Sequence, residues 1–334
     1  MKRLIKFFFA ALVLAYGCNS DKNTVVVYTS VDQVFSEPVL KEFERETGIK
    51  VKAIYDTEET KSTGVLNRLI AEKDNPQCDV FWSGDPVRVV VLKQKGITQK
   101  YLSPQAKDIP AIYKDPDGQW TGFSARARVL IYNKDLMDST EVPKSIFDLA
   151  KPKYYGKVAI ANPLFGTTTF HIAALFTALG DNRAKSFLDS LKANGLVIAT
   201  SNGDVKKRVV TGEIACGLTD TDDAHEALKE GANIGVVFLD QQDDFGTLIM
   251  PNTVCLINGA PNPANGKKLI DYLLSRKTEA ALAKSAAQMP LHKGVEIPAD
   301  VPSLDNIIPM KVDYNRAAEK LEQIQPWIKQ WIKK

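Results

Sequence analysis

The chain has 334 residues, 44% hydrophobic and 25% charged, which excludes both a disordered chain and a membrane-embedded one. Its length exceeds what one ordinary core needs and implies two domains. The formal charge of +3 belongs to the first few residues, so a nucleic-acid partner has no electrostatic motive.

Lys2, Arg3 and Lys6 precede a short apolar stretch from Phe7 to Cys18. A basic start followed by so short an apolar run reads as an export signal, with a retained membrane anchor as the alternative. Gly17 before Cys18 resembles the lipobox of bacterial lipoproteins, in which the cysteine is diacylated and becomes the new N-terminus. Residues 1–17 are thus expected to be a signal peptide, Cys18 the lipidation site and residues 18–23 a tether at the extracytoplasmic membrane surface. Without residues 1–17, Lys plus Arg falls from 43 to 40 against 40 acids.

The next run, "NTVVVYTS", reads as a strand. Apolar residues at Val34, Phe35, Val39, Leu40 and Phe43 then share one helical face, and Gly48 stands where a helix would end. "IKVKAIYD" reads as a strand, "TGVLNRLIAEK" as a helix and "CDVFW" as a third strand. This alternation builds a parallel sheet. "TGFSARARVLIYNKD" is a long β-rich segment suited to crossing between domains. A second alternating block follows, comprising "GKVAIANP", a helical "TTFHIAALFTALG", "LVIAT" and "IACGL". "GTLIMPNTVCLINGA" reads as the return crossing. "GKKLIDYLLSRKTEAALAKSAAQMPL" reads as helical, and "WIKQWIKK" as the end of an amphipathic helix whose cations complement its dipole. The expected fold is α/β: two lobes, each a mainly parallel sheet flanked by helices, joined by two extended hinge crossings. One lobe is expected over residues 24–125 plus 250–300, the other over 126–249 plus 301–334.

Cys78, Cys216 and Cys255 lie in apolar surroundings without metal-ligand spacing, which suits buried thiols. A Cys216–Cys255 disulfide is the alternative in an oxidising compartment.

Ligands of open parallel sheets bind beyond the C-terminal ends of the strands. The loops there are polar: "YTSVDQ", "YDTEETKSTG", "WSGDP", "NPLFGTTTFH" and "TDTDDAH". They nominate Ser30, Asp32, Glu58, Ser83, Gly84, Asp85, Asp220, Asp222 and Asp223 as ligand-binding residues. Gly166, Thr167, Thr168 and Thr169 open a helix with hydroxyls and unpaired N–H groups, which suits an anion, although plain N-capping explains them too. No lysine follows in the spacing of a nucleotide-binding loop. "TDTDDAH" lacks the spacing of a calcium loop. It remains open as a hard-cation site, an amine site or an acidic turn. There is no GxSxG, no HExxH and no nucleophile–base spacing, and His171 sits within an apolar helical run. These patterns argue against an enzyme, with a hydrolase or lyase at the cleft as the alternative.

"VVVYTSVDQVFSEPVLKEFERETGIKV", "NRLIAEKDNPQCDVFWSGDP", "ARARVLIYN", "GKVAIANPLFGTTTFHIAAL" and "PNTVCLINGAPNPANGKKLIDYLLS" together resemble the periplasmic ferric-iron-binding proteins of ABC importers. The resemblance runs from Thr24 to the C-terminus. It implies a Venus-flytrap fold, a monomer, a ligand trapped between lobes, and an ABC permease and ATPase as partners. It further implies no required cofactor, with Fe(III) or another metal as transported ligand alongside a synergistic anion. Where well-studied members carry adjacent tyrosines, this chain has Asp222 and Asp223, and Asp32 replaces a first-loop histidine. Asp32, Asp222 and Asp223 are thus the candidate metal ligands. Relatives that bind phosphorylated sugars or phosphonates imply the other reading, in which Gly166 to Thr169 hold an anionic group assisted by Arg126 or Arg128.

Overall fold

The computed structural model describes residues 23–56, 63–242 and 245–333. Residues 1–17, Cys18 and Glu58 lie outside the described residues. In chain order the regular elements begin β1 (Thr24–Thr29), α1 (Gln33–Thr47), β2 (Lys50–Tyr55), α2 (Thr63–Ala71), β3 (Val80–Ser83), α3 (Pro86–Gln94), β4 (Thr98–Gln99) and β5 (Thr121–Asn133). They continue with β6 (Val158–Ala161), α4 (Gly166–Leu179), α5 (Asp181–Ala193), β7 (Val197–Ala199), α6 (Asn202–Val210), β8 (Cys216–Asp220), α7 (Thr221–Lys229) and β9 (Ile234–Val237). The chain closes with β10 (Ile249–Ile257), α8 (Pro263–Leu273), α9 (Arg276–Ala286) and α10 (Tyr314–Lys333).

The strands run in the order β2-β1-β3-β10-β5-β8-β6-β7, with β4 on β10 and β9 on β5. β1 pairs in parallel with β2 and β3, and β6 in parallel with β7 and β8. Each set has its own flanking helices, giving the expected two-lobed α/β architecture. β5 joins them: Thr121 to Ala127 pair with β10, and Arg128 onward pairs with β8. All thirteen β5 residues are buried, as a strand covered on both faces must be. Ser124 is the extra residue where the β5–β10 register shifts, and its φ of 41° places it in the left-handed region. This is a bulge in the crossing strand itself.

The segment before Met289 is helical as expected and is divided in two, because α8 stops and the Ser275 hydroxyl caps α9 by accepting from the Thr278 N–H. Cys216 and Cys255 are free thiols. Cys216 lies opposite Tyr132, whereas Cys255 lies beyond the pair Val254–Thr121 at the other end of β5. Those ends are roughly 35 Å apart at strand rise, far beyond disulfide reach.

β10 is anchored where it starts. Thr247 exchanges backbone hydrogen bonds with Ile308 and Met310, and Gly246 packs so closely that a Cβ would sit 2.5 Å from the Pro309 carbonyl carbon. Its φ of 73° also disfavours any side chain. Gly246→Ala is expected to cost about 2–3 kcal/mol, read as a lower urea midpoint at constant m-value.

Candidate functional site

One cavity opens between the two parallel sets, with about 570 Å³ of space including its mouth. Its wall comes from strand ends. Ser30 and Asp32 follow β1, Gly84 follows β3, Asn162 and Phe165 to Thr168 follow β6, Thr200 to Asn202 follow β7, and Asp220 ends β8 with Asp222 just after it. Arg126 rises from the β5 crossing. Parallel strands point their carboxyl ends the same way, so short loops after them converge on one place.

Four helices begin on this wall, since Asp32, Phe165, Ser201 and Asp220 are the residues before the first turns of α1, α4, α6 and α7. The Ser201 hydroxyl accepts from Asp204 at the start of α6, whereas no side chain caps α4. The N–H groups of Gly166, Thr167 and Thr168 therefore have no intrahelical acceptor. Four positive dipole ends and these donors make an anion-attracting surface.

The charges form a dense network. Arg126 Nη1 lies 3.3 Å from Asp220 Oδ2 and 3.4 Å from Asp222 Oδ2. Arg126 Nη2 donates to the Gly84 carbonyl. A Cβ at position 84 would stand 3.0 Å from that nitrogen, so the glycine admits the guanidinium. Burial disfavours the Arg126 charge, but Asp222, Asp220 and Asp32 hold its pKa above the ordinary value. Burial would likewise raise the Asp220 carboxyl; Arg128 and Arg126 more than offset this and hold it low. His171, on the same helix as Thr167, is pushed down to about 3 by burial and the Arg128 charge, so it is neutral. Arg88 Nη2 donates to the Gly166 carbonyl at 3.4 Å, a direct tie between α3 and α4.

Among the nominated residues, Ser30, Asp32, Gly84, Arg126, Gly166, Thr167, Thr168, Asp220 and Asp222 line the cavity. Of the other nominated residues that are described, Ser83, Asp85, Arg128, Thr169 and Asp223 lie off its wall. Ser83 Oγ accepts from the Asp85 N–H, and Asp85 caps α3 and pairs with Arg88. Thr169 is fully buried, and Asp223 Oδ2 accepts from the Thr219 hydroxyl. Arg128 stands just behind the wall, bonded to Thr167, Thr168, Asn202 and Asp220. "TDTDDAH" is not a turn, because Asp220 ends β8 and α7 begins at Thr221. Asp220, Asp222 and Asp223 bring oxygens within 4.8 Å of one another. The sequence reading missed Thr200, Ser201 and Asn202. Their signal was the polar "TSNGD" directly after a strand.

A family model described as bacterial extracellular solute-binding protein matches residues 39–307. This chain belongs to that family. As a solute-binding protein it works outside the cytoplasm and serves transport, which sets aside the hydrolase or lyase alternative. It is 29% identical over 311 residues to iron uptake protein A1 of Synechocystis, covering 86% of this chain and 84% of that one. It is 25% identical over 294 residues to a Salmonella typhimurium protein named for binding 2-aminoethylphosphonate, covering 86% and 80%. Among solved structures, the apo ferric ion-binding protein A of Pasteurella haemolytica superposes with a TM-score of 0.83 at 28% identity, covering 92% of this solute-binding protein and 97% of that chain.

Proposed function

We propose that this protein is the extracytoplasmic capture component of an ABC importer of the ferric-iron type. It closes on a small ligand that presents an oxyanion to the start of α4 and passes it unaltered to a permease and its ATPase. The observation that carries this reading is the first turn of α4, uncapped by any side chain and open to the cavity between Thr167, Thr168 and Arg126. Closure biases an existing open–closed equilibrium. The lobes we assign are residues 24–125 plus 250–300 and residues 126–249 plus 301–334. The chain acts as a monomer, exported by residues 1–17 and tethered through a lipidated Cys18.

Kinship supports ferric iron as the first cargo, and in this reading the oxyanion is its companion and Asp220, Asp222 and Asp223 are hard oxygen donors. Asp32 completes the set from the opposite wall. A second cargo, a phosphonate or phosphorylated organic anion bearing an amine, is favoured by one observation. Arg126 and Arg128 already pair with Asp220, Arg126 also pairs with Asp222, and among the described residues no tyrosine lines the cavity.

Native mass spectrometry with metal analysis on the purified protein separates the two. Thermal-shift titrations with Fe(III) plus citrate, 2-aminoethylphosphonate and phosphate esters then rank the cargo. A ligand at 100 times its Kd stabilises by about 2.7 kcal/mol. Asp222→Ala combined with Asp223→Ala is expected to abolish the shift from Fe(III), or from an amine-bearing anion. Unchanged shifts for every ligand would remove this helix start from the cleft, and chemical conversion of any bound ligand would end the transport reading.

A further inference from the structure

Arg128 makes no wall of the cavity, yet it bonds four residues that do. Nη1 donates to Asp220 Oδ1 at 2.8 Å, Asn202 Oδ1 at 2.8 Å and Thr167 Oγ1 at 3.3 Å. Nη2 donates to Thr168 Oγ1 at 2.7 Å and the Leu218 carbonyl at 3.2 Å. A guanidinium only donates, and a hydroxyl carries one proton. Both threonine oxygens therefore act as acceptors toward Arg128, and their protons must point elsewhere.

The two hydroxyls then differ. Thr167 also accepts from Asn202 Nδ2 at 2.9 Å and donates its proton to Asp220 Oδ2 at 2.8 Å. It is fully committed. Thr168 has no such acceptor among the hydrogen bonds of the described residues, and it lines the cavity. Its proton lies beside the N–H groups that open α4.

We infer that Arg128 is a positioning residue that fixes the Thr168 hydroxyl as a hydrogen-bond donor into the cavity, so that this end selects oxyanion oxygens able only to accept. This rests on the reading of the start of α4 as an oxyanion site. A protonated ligand oxygen placed there meets donors alone. Buried donors left without acceptors are the strongest source of discrimination between otherwise similar ligands. The charged groups around Thr168 do not blur this between pH 5 and 7.5. Asp220 from β8 is held low, His171 from α4 is held neutral, and Arg126 from β5 keeps its charge, with the Arg128 guanidinium beside it on the same strand. Asp222 from α7 faces Arg126.

The test is calorimetric titration of the intact protein with methyl phosphate, whose second ionisation lies near pH 6. The wild type is expected to bind about tenfold more tightly at pH 7.5 than at pH 5, following the dianion. Arg128→Lys keeps the charge but loses the fork that reaches Asp220 and Thr168 together, so the pH ratio is expected to fall to about twofold. Thr168→Val is expected to lose about 10- to 100-fold in affinity at pH 7.5, while Thr168→Ser restores it. The threonine pair decides the matter if Arg128→Lys does not fold. An unchanged pH ratio in Arg128→Lys, or equal affinities for Thr168→Val and wild type, overturns the role of Arg128. Binding by the wild type without any pH ratio also overturns it, leaving the oxyanion site standing. Silence of the wild type toward methyl phosphate, 2-aminoethylphosphonate and citrate overturns the oxyanion site itself, and this inference with it.

Discussion

Asp220→Ala is expected to destabilise the protein by about 3–5 kcal/mol, the range for breaking a buried ion pair by removing one partner. Asp220 is 1% exposed. Its two oxygens receive Arg128 at 2.8 Å, Arg126 at 3.3 Å, Thr167 at 2.8 Å and Asn202 at 3.2 Å. Alanine strands two buried guanidiniums and releases α4, α6 and α7 from their common anchor. Asp220→Asn keeps the shape but not the charge, so it should fall between alanine and wild type. Urea unfolding of the ligand-free protein measures both. A loss below about 1 kcal/mol for alanine would mean that water reaches the guanidiniums, as at an exposed ion pair. The carboxyl is held low in the fold, so its contribution is complete above the unfolded value of about 3.9. It is lost as pH falls through the lower folded value.

Glu279→Ala is the second large effect, about 3–4 kcal/mol, and it acts at the crossing rather than in the cleft. Glu279 is fully buried on α9. One oxygen accepts from the backbone N–H groups of Ser124 and Leu291, both at 2.8 Å. The other accepts from the His292 backbone at 3.0 Å and faces its Nδ1 at 2.7 Å. Glu279 thus pins the bulged residue of β5, whose carbonyl also receives Asn252. His292 Nε2 faces the Gln105 carbonyl at 2.8 Å, so both ring nitrogens meet acceptors, which favours the protonated ring.

The pH dependence follows from the two shifts. The hydrogen bond to Glu279 raises the His292 pKa against the opposing effects of burial and Arg276. Its contribution is complete below the unfolded value of about 6.5 and is lost as pH rises through the folded one. Burial would raise the Glu279 carboxyl, but His292 and the three N–H groups lower it. Its contribution is complete above about 4.3 and is lost as pH falls through the folded value. Urea midpoints should therefore be flat from about pH 4.5 to 6.5 and decline above that range. His292→Gln should lack the alkaline decline. The same decline in that variant would assign it to another group.

The order of elements was legible in the chain because each carries a local signature. The apolar face of α1 and its stop at Gly48 are examples, the latter a left-handed cap whose N–H reaches the Glu44 carbonyl. The polar runs after strands were legible for the same reason, and they marked most of the cavity wall. The miss after β7 came from weighing hydroxyl and carboxylate counts rather than position, since Thr200 to Asn202 follow only a three-residue strand.

By itself the sequence determined the two-block α/β alternation, the extended crossings and the polar strand ends, since periodicity and turn residues are local properties of the chain. Only the tertiary structure decided which of those polar residues face the ligand and which serve one another. Asp85, Arg128 and Asp223 looked equivalent to their neighbours in sequence. In the fold they are an α3 cap, a strut behind α4 and an acceptor for Thr219. A buried charge must find its partner among residues distant along the chain, such as Arg128 and Asp220. That pairing is set by strand register, which no local pattern encodes.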